Sequence, residues 1–377
     1  MSSLPIVHWT ESDQPQHAFW RSESAAPVPK RIQIAGDQLS ADAAYRLICE
    51  GTQLLWRGDF QNARQLLQAL ARRVDKKGTK KSVPATSGVD AFNRHRLAQS
   101  QRARLLGSIL LQFDADHTLT LRRAPDVKQA CLEAYGPAAG SYLVSLRELQ
   151  GVVGAHEWRK KGVDIPALQG KIHPYYGVFS PVRGEYIDLV ARAPLPTDRS
   201  IAFDVGTGTG VLAAVLAKRG ISRIVATDQD TRALACAREN SVRLGYDRQI
   251  ELVQKDMFPD GRASLVVCNP PWLPARPSAP VEYALYDPES RMLRAYLQGL
   301  PEHLTPDGEG WLILSDLAEH LGLRQPGEVE ALIQSAGLRV VDRLDTRPTH
   351  GRATDPSDPL HVARAKELTS LWRLALR

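Results

Sequence analysis

The sequence predicts an α/β fold: a parallel sheet built by residues 171–377, preceded by a mainly helical domain. Three observations carry this. Short apolar runs recur in the second half (IAFDV, ISRIVAT, IELVQ, ASLVVC), separated by longer helical patterns, as in parallel βαβ units. The first run breaks into three alternating glycines, Gly206, Gly208 and Gly210, and resumes as an apolar helical stretch, Val211–Leu216. The runs end in acids or an amide: Asp204, Asp228, Asp256 (followed by Met257) and Asn269. All four then face one edge of the sheet, where α/β folds bind ligands.

The chain has 377 residues, enough for two domains with full cores. Hydrophobic content of 43% and charged content of 24% are ordinary for globular proteins. No apolar run reaches the roughly eighteen residues of a membrane span. MSSLPIVHWTESDQPQ has neither a basic n-region nor an apolar h-region, so no signal peptide is expected. Cys49, Cys131, Cys236 and Cys268 are far apart with no C-x-x-C. Neither a metal site nor a disulfide framework is therefore expected, and a reducing, cytoplasmic setting is. Cys268 directly precedes Asn269 but reads as a buried strand residue.

Charge is unevenly placed. The net charge is +6; residues 1–170 carry 23 Lys/Arg against 16 Asp/Glu, and residues 171–377 carry 25 against 26. Residues 57–104 alone carry 12 against 3. Clustered basic charge points to a polyanion such as RNA, and equally describes a solvated helix face with a basic loop.

In chain order, residues 1–38 hold scattered prolines and no sustained period, and read as an irregular lead-in. Ser40 caps a helix through ADAAYRLICEGTQLL. After an RGDF turn comes QNARQLLQALARRV, with Ala63, Leu66, Leu67 and Leu70 on one stripe. The pair resembles one tetratricopeptide-like hairpin, but nothing repeats at that period. Residues 75–88 read as a flexible basic loop. Val89–Leu111 reads as a third helix bearing Arg94, His95, Arg96, Arg102 and Arg104. Arg122 and Arg123 follow a short strand, and helices fill 126–161. His95 and His156 lack partners at ligand spacing. Residues 39–165 thus read as a mainly helical, basic domain for substrate binding or docking, without a catalytic constellation.

A hinge, KGVDIPALQGKIHPYYGVFSPVRGEYIDLV, leads to the glycine turn. Glycines suit a turn with φ > 0 where a ligand meets bare backbone, and the helix after it aims free N–H groups at that ligand. A dinucleotide turn wants G-x-G-x-x-G, but Gly210 comes one position early and Val211 takes its place. Asp228 lies 24 residues after Asp204, near the spacing of a ribose-binding carboxylate at the next strand end.

The fourth strand runs into Asn269-Pro270-Pro271-Trp272. An amide or aryl amine nitrogen is a poor nucleophile because its lone pair is delocalised. The Asn269 side-chain oxygen and the Pro270 carbonyl can accept both its N–H bonds and turn the lone pair toward an incoming electrophile. Two prolines fix that backbone, and Trp272 offers a flat face for a planar group. A Pro-Pro turn with a core tryptophan is the plainer alternative. Beyond it, RMLRAYLQGLPEHL reads as a helix, GEGWLILSDL as a fifth strand and EVEALIQSAG as a helix; LRVVDRLDTR pairs with ELTSLWRLAL. The intervening loop, 346–365, is too long for a tight hairpin and is expected to cover the substrate.

Residues 171–377 resemble a class I S-adenosylmethionine-dependent methyltransferase, on the pairing of DVGTGTG with NPPW. They are most similar to the small methyltransferase domain group, which includes release-factor glutamine N5-methyltransferases and ribosomal RNA guanine-N2 methyltransferases. Tryptophan stands where tyrosine or phenylalanine is usual, and LPARPSAP follows the motif. The resemblance implies a Rossmann-like sheet with an antiparallel last strand pair and S-adenosyl-L-methionine as cofactor. Asp204 and the Gly206–Gly210 turn would hold its methionine portion, Asp228 its ribose, and Asp256 with Met257 its adenine. Asn269, Pro270, Pro271 and Trp272 would be catalytic, and Phe179 and Arg183 would touch cofactor or substrate. The implied substrate is a planar exocyclic nitrogen of an RNA base, or alternatively a protein glutamine amide; a methyltransferase fold kept as a binding scaffold is the remaining alternative.

Overall fold

The computed structural model describes residues 4–78, 85–182, 184–277, 282, 284–349 and 355–377. It divides into two compact units: residues 1–84, 93–157 and 278–280 form one, and residues 85–92, 158–277 and 281–377 the other. No helix of the described residues is long and apolar enough to cross a membrane.

The first unit is built on strands β1 (Ile6–Glu11), β2 (Gln14–Trp20), β3 (Ile32–Ala35), β4 (Gln53–Trp56), β5 (Ile109–Phe113) and β6 (Tyr142–Ser145). They form one mixed sheet in the order β1-β2-β6-β5-β4-β3. This corrects one expectation and adds to another. The lead-in is not irregular: β1 alternates, with Val7 and Trp9 buried and Ile6 and His8 exposed, so Val7 and Trp9 join a core with Trp20, Leu55, Leu110 and Leu143. Most of residues 39–165 is helical, but the segment also supplies β4, β5 and β6 to the sheet. The expected third helix ends at Leu106, and Ile109–Phe113 is a strand between β4 and β6. A central strand covered on both faces reads as a continuous apolar run without alternation, which cannot be told from a helical segment by period alone. The first helix likewise spans only Ala41–Cys49; Ser40 Oγ accepts from Ala43 N at 3.2 Å, as a cap should. The second helix, Phe60–Gly78, runs into the stretch expected as a basic loop, of which residues 79–84 lie outside the described residues.

The second unit carries a hairpin, β7 (Val163–Ile165) with β8 (Gly170–Ile172), and a seven-stranded sheet. Its strands are β9 (Ile201–Val205), β10 (Arg223–Asp228), β11 (Ile250–Gln254), β12 (Ala263–Cys268), β13 (Leu304–Ser315), β14 (Leu338–Thr346) and β15 (Thr369–Leu376). The order is β11-β10-β9-β12-β13-β15-β14, parallel from β11 to β13, with β15 antiparallel to both neighbours. Successive residues face opposite cores. Leu265 and Val267 pack with the helices Glu185–Arg192 and Val211–Lys218, while Val266 and Cys268 pack with the helix Arg291–His303. The chain runs outward from β9 to β11 and returns on the other side of β9 as β12. The order therefore reverses between β9 and β12, and a crevice opens at their C-terminal ends.

Candidate functional site

The glycine turn and the Asn-Pro-Pro-Trp segment meet at this reversal. Val205 is in register with Cys268 on one side and Thr227 on the other, so Gly206 lies between Asn269 and Asp228 at one level of the sheet edge. Gly206, Gly208 and Gly210 have φ of +73°, +55° and +80°, a region that side chains rarely tolerate. Their surroundings differ. A Cβ on Gly206 would meet Met292 Cε at 2.7 Å and one on Gly210 would meet Ala237 Cβ at 3.1 Å, but at Gly208 nothing lies within 4 Å. Two glycines thus permit packing, and the third leaves backbone open to a ligand.

Asp204 is buried beneath the turn. Its Oδ2 accepts from Thr207 Oγ1 at 2.6 Å and from Ala213 N at 3.1 Å. Burial pushes its carboxyl up to about 6, against the pull of those two bonds. Asp228 braces the turn from the side: Oδ2 accepts from Gly208 N at 3.0 Å and Oδ1 from Asp230 N at 2.9 Å. Burial raises its pKa too, opposed by those backbone donors. Two carboxylate oxygens offer about four lone-pair sites, so Asp228 keeps acceptor capacity for a ligand beside these backbone donors.

The third strand end departs from the group. Asp256 is exposed and pairs with Arg291 at 3.3 Å. Met257 takes φ +77°, uncommon for a side-chain-bearing residue, and its carbonyl accepts from Thr227 Oγ1 at 2.5 Å. Phe179 is exposed in the hinge, just beyond a turn at Tyr176–Gly177, and Arg183 lies outside the described residues. So do residues 350–354 of the long loop before β15.

At the fourth strand end Asn269 is half-buried, Pro270 is buried, and Pro271 and Trp272 are half-buried. The Trp272 ring packs against both cores, and its indole N–H donates to Asn269 Oδ1 at 2.9 Å. Behind it the buried Arg324 directs Nη2 to Ser290 Oγ at 3.2 Å and toward the Trp272 carbonyl at 3.5 Å. Nε and Nη1 of Arg324 have no partner among the described residues, and burial lowers its pKa.

Sequence reasoning missed the residues that hold this arrangement. Asn240, buried in the helix Thr231–Leu244, accepts from His173 N and donates to the Thr209 carbonyl, tying the hinge to the glycine turn. Asp287 accepts from Met292 N and Leu293 N and so seats the helix whose Met292 abuts Gly206. Neither lies at a strand end, and nothing in spacing or period marks them: Asn240 stands beside Glu239 and Ser241 in its helix, and Asp287 precedes Pro288 in an irregular segment.

Residues 171–325 match the methyltransferase small domain family. Release factor glutamine methyltransferase of Cereibacter sphaeroides is 34% identical over 168 residues, covering 41% of this chain and 58% of that protein. Ribosomal protein L11 methyltransferase of Caldanaerobacter subterraneus is 26% identical, covering 50% and 67%. The tRNA1(Val) (adenine(37)-N6)-methyltransferase of Shewanella halifaxensis is 25% identical, covering 46% and 70%. The chain spans somewhat over half the length of the release-factor methyltransferases it matches. A solved ribosomal protein L11 methylase from Lactobacillus delbrueckii is 20% identical with a TM-score of 0.38, covering 55% of this chain and 86% of that one. The match makes residues 171–325 similar to the methyltransferase small domain, and it takes in strands β9 to β13 of a sheet that is parallel from β11 to β13 and ends on an antiparallel pair.

Proposed function

We propose that the protein is an S-adenosylmethionine-dependent N-methyltransferase acting on a planar exocyclic nitrogen, of an RNA base in the first reading. The observation that carries it is the position of Asn269 beside Gly206 and Asp228 at the strand reversal, with a fixed acceptor oxygen and an adjacent aromatic ring.

The residues present fit the cofactor. The open position at Gly208 admits a ligand to bare backbone, Asp228 can accept from ribose hydroxyls, and buried Asp204 favours a cationic amino group nearby. Asp256 and Met257 would border the adenine, and Phe179 would touch cofactor or substrate. When bound, S-adenosylmethionine supplies an electrophilic methyl. The chain's own part is positioning: Asn269 Oδ1 and the Pro270 carbonyl accept the N–H bonds of the target, the prolines fix that geometry, and Trp272 stacks on the planar group. The proton leaves once the nitrogen is cationic.

The basic character of residues 57–104 supports RNA. Of its cations, Arg64, Arg72, Lys76, Arg94 and Arg104 are exposed, and Arg73 and Arg102 are half-buried. The second reading, a glutamine amide of a protein, is favoured by the similarity to release factor glutamine methyltransferases. The test is incubation with methyl-labelled S-adenosylmethionine and a lysate from a strain lacking the protein. Label in RNA supports the first reading, label in protein the second, and label in neither overturns both.

A further inference from the structure

We infer that the Trp272 indole N–H selects the orientation of the Asn269 amide, making Trp272 a positioning residue for the acceptor oxygen as well as a wall for the substrate. This rests on the reading of the site as an N-methyltransferase.

A primary amide presents an oxygen that accepts and a nitrogen that donates, and a half-turn about its last bond exchanges them. For Asn269 the two orientations are opposite in effect. With oxygen inward the site accepts an N–H of the target. With nitrogen inward it confronts one donor with another and repels the substrate. Nothing in the Asn-Pro-Pro backbone distinguishes the two, because both prolines lack a backbone N–H that could bind the oxygen. The indole does distinguish them. Its N–H is a donor with no acceptor capacity, so it is satisfied only by the oxygen. At 2.9 Å this is a normal hydrogen bond, made within a segment of four residues. It takes one of the two lone pairs of Oδ1, and no other hydrogen bond to this oxygen forms among the described residues. The second lone pair is left for the target nitrogen.

The indole is itself held. Its ring is wedged between the two cores of the sheet, and the buried guanidinium of Arg324 lies against its carbonyl and Ser290. A ring fixed by packing transmits that rigidity to the amide. Tyrosine or phenylalanine, usual at this position, has the flat face but no N–H at this place on the ring.

The substitution that separates the two roles is Trp272→Phe, which keeps an aromatic face and removes the N–H. It is compared in two backgrounds, native and Asn269→Asp. A carboxylate offers an oxygen in either orientation, so it needs no selection. With total RNA and total protein from a strain lacking the enzyme as methyl acceptors, Trp272→Phe should lower kcat by about tenfold in the native background, the worth of one hydrogen bond, with KM and S-adenosylhomocysteine affinity nearly unchanged. In the Asn269→Asp background the same change should cost less than about twofold. Equal losses in both backgrounds would show that Trp272 acts by packing alone and overturn the inference. A second readout needs no substrate. In protein labelled with 15N-tryptophan, the indole N–H signal that Trp272→Phe removes should be protected from hydrogen exchange and lose that protection in Asn269→Ala. Protection unchanged in Asn269→Ala overturns the inference whether or not transfer is seen. Absence of methyl transfer by the native protein to either acceptor overturns the underlying function instead.

Discussion

Asp228 Oδ2 accepts the backbone N–H of Gly208 at 3.0 Å, so the acid at the end of one strand holds the turn at the end of its neighbour. The residue assigned to the cofactor ribose is thereby also a brace of the glycine turn, a role that its spacing in the sequence does not foretell.

Asp228→Ala should cost roughly 1.5–3 kcal/mol of S-adenosylmethionine binding, because the charge-assisted hydrogen bonds to the ribose go with the carboxylate. Because Gly208 N is also deprived of its acceptor, the thermal midpoint should fall. Asp228→Asn keeps one accepting oxygen, so it should recover much of the stability and less of the affinity. Calorimetry with S-adenosylhomocysteine beside thermal melts would separate the two; unchanged affinity in Asp228→Ala removes the ribose assignment.

Asp204 makes stability depend on pH. Its folded pKa, about 6, lies above the ordinary 3.8, so the folded state holds the proton more tightly than the unfolded chain. The burial penalty is therefore absent below the ordinary value and fully present above about pH 6; at about 1.4 kcal/mol per pH unit it reaches roughly 3 kcal/mol. Relative to the native protein, Asp204→Asn should gain stability as pH rises through this window and level off above it, measured by urea unfolding. Cofactor affinity of the native protein should move oppositely, rising as Asp204 ionises. A stability difference that does not vary with pH contradicts the assignment.

Asn269→Ala should lower turnover by about two to three powers of ten, the cost of removing one preorganised acceptor, with cofactor affinity little changed. Asn269→Asp should retain part of the rate. Trp272→Ala should weaken a stacked RNA base by about 1–3 kcal/mol and a glutamine amide by less. Normal turnover in Asn269→Ala would remove the proposed mechanism, and the size of the Trp272→Ala effect would discriminate the two substrates.

Replacing Lys76, Lys77, Lys80 and Lys81 together by glutamine should weaken RNA binding evenly across sequences. It should also flatten the salt dependence by about 0.7–0.9 for each phosphate that the lysines no longer neutralise. Lys80 and Lys81 lie outside the described residues. Filter binding between about 50 and 200 mM salt measures this. No RNA binding by the intact protein at low salt would leave these lysines a solvated surface and favour the protein substrate.

By itself, the sequence determined three features of the second unit: its parallel strands, the glycine turn, and the acids and amide at the strand ends; the antiparallel sense of the last pair was implied only by the family resemblance. The three were legible because each is local. A buried parallel strand is an apolar run, a positive φ asks for glycine, and a strand's last residue must lie at the sheet's edge whatever packs around it. The strands of the first unit were missed because their evidence is not local. The residues of β5, ILLQF, are a strand because β4 and β6 flank them, and β1 is one because β2 returns along it. Tertiary structure alone decided the finer site. Asn240 reaches Thr209 across 31 positions, Arg324 reaches Trp272 across 52, and Asp228 meets Gly208 because β9 and β10 lie side by side. A hydrogen bond between distant positions leaves no period or spacing in either segment, since its geometry exists only once the strands between them have paired.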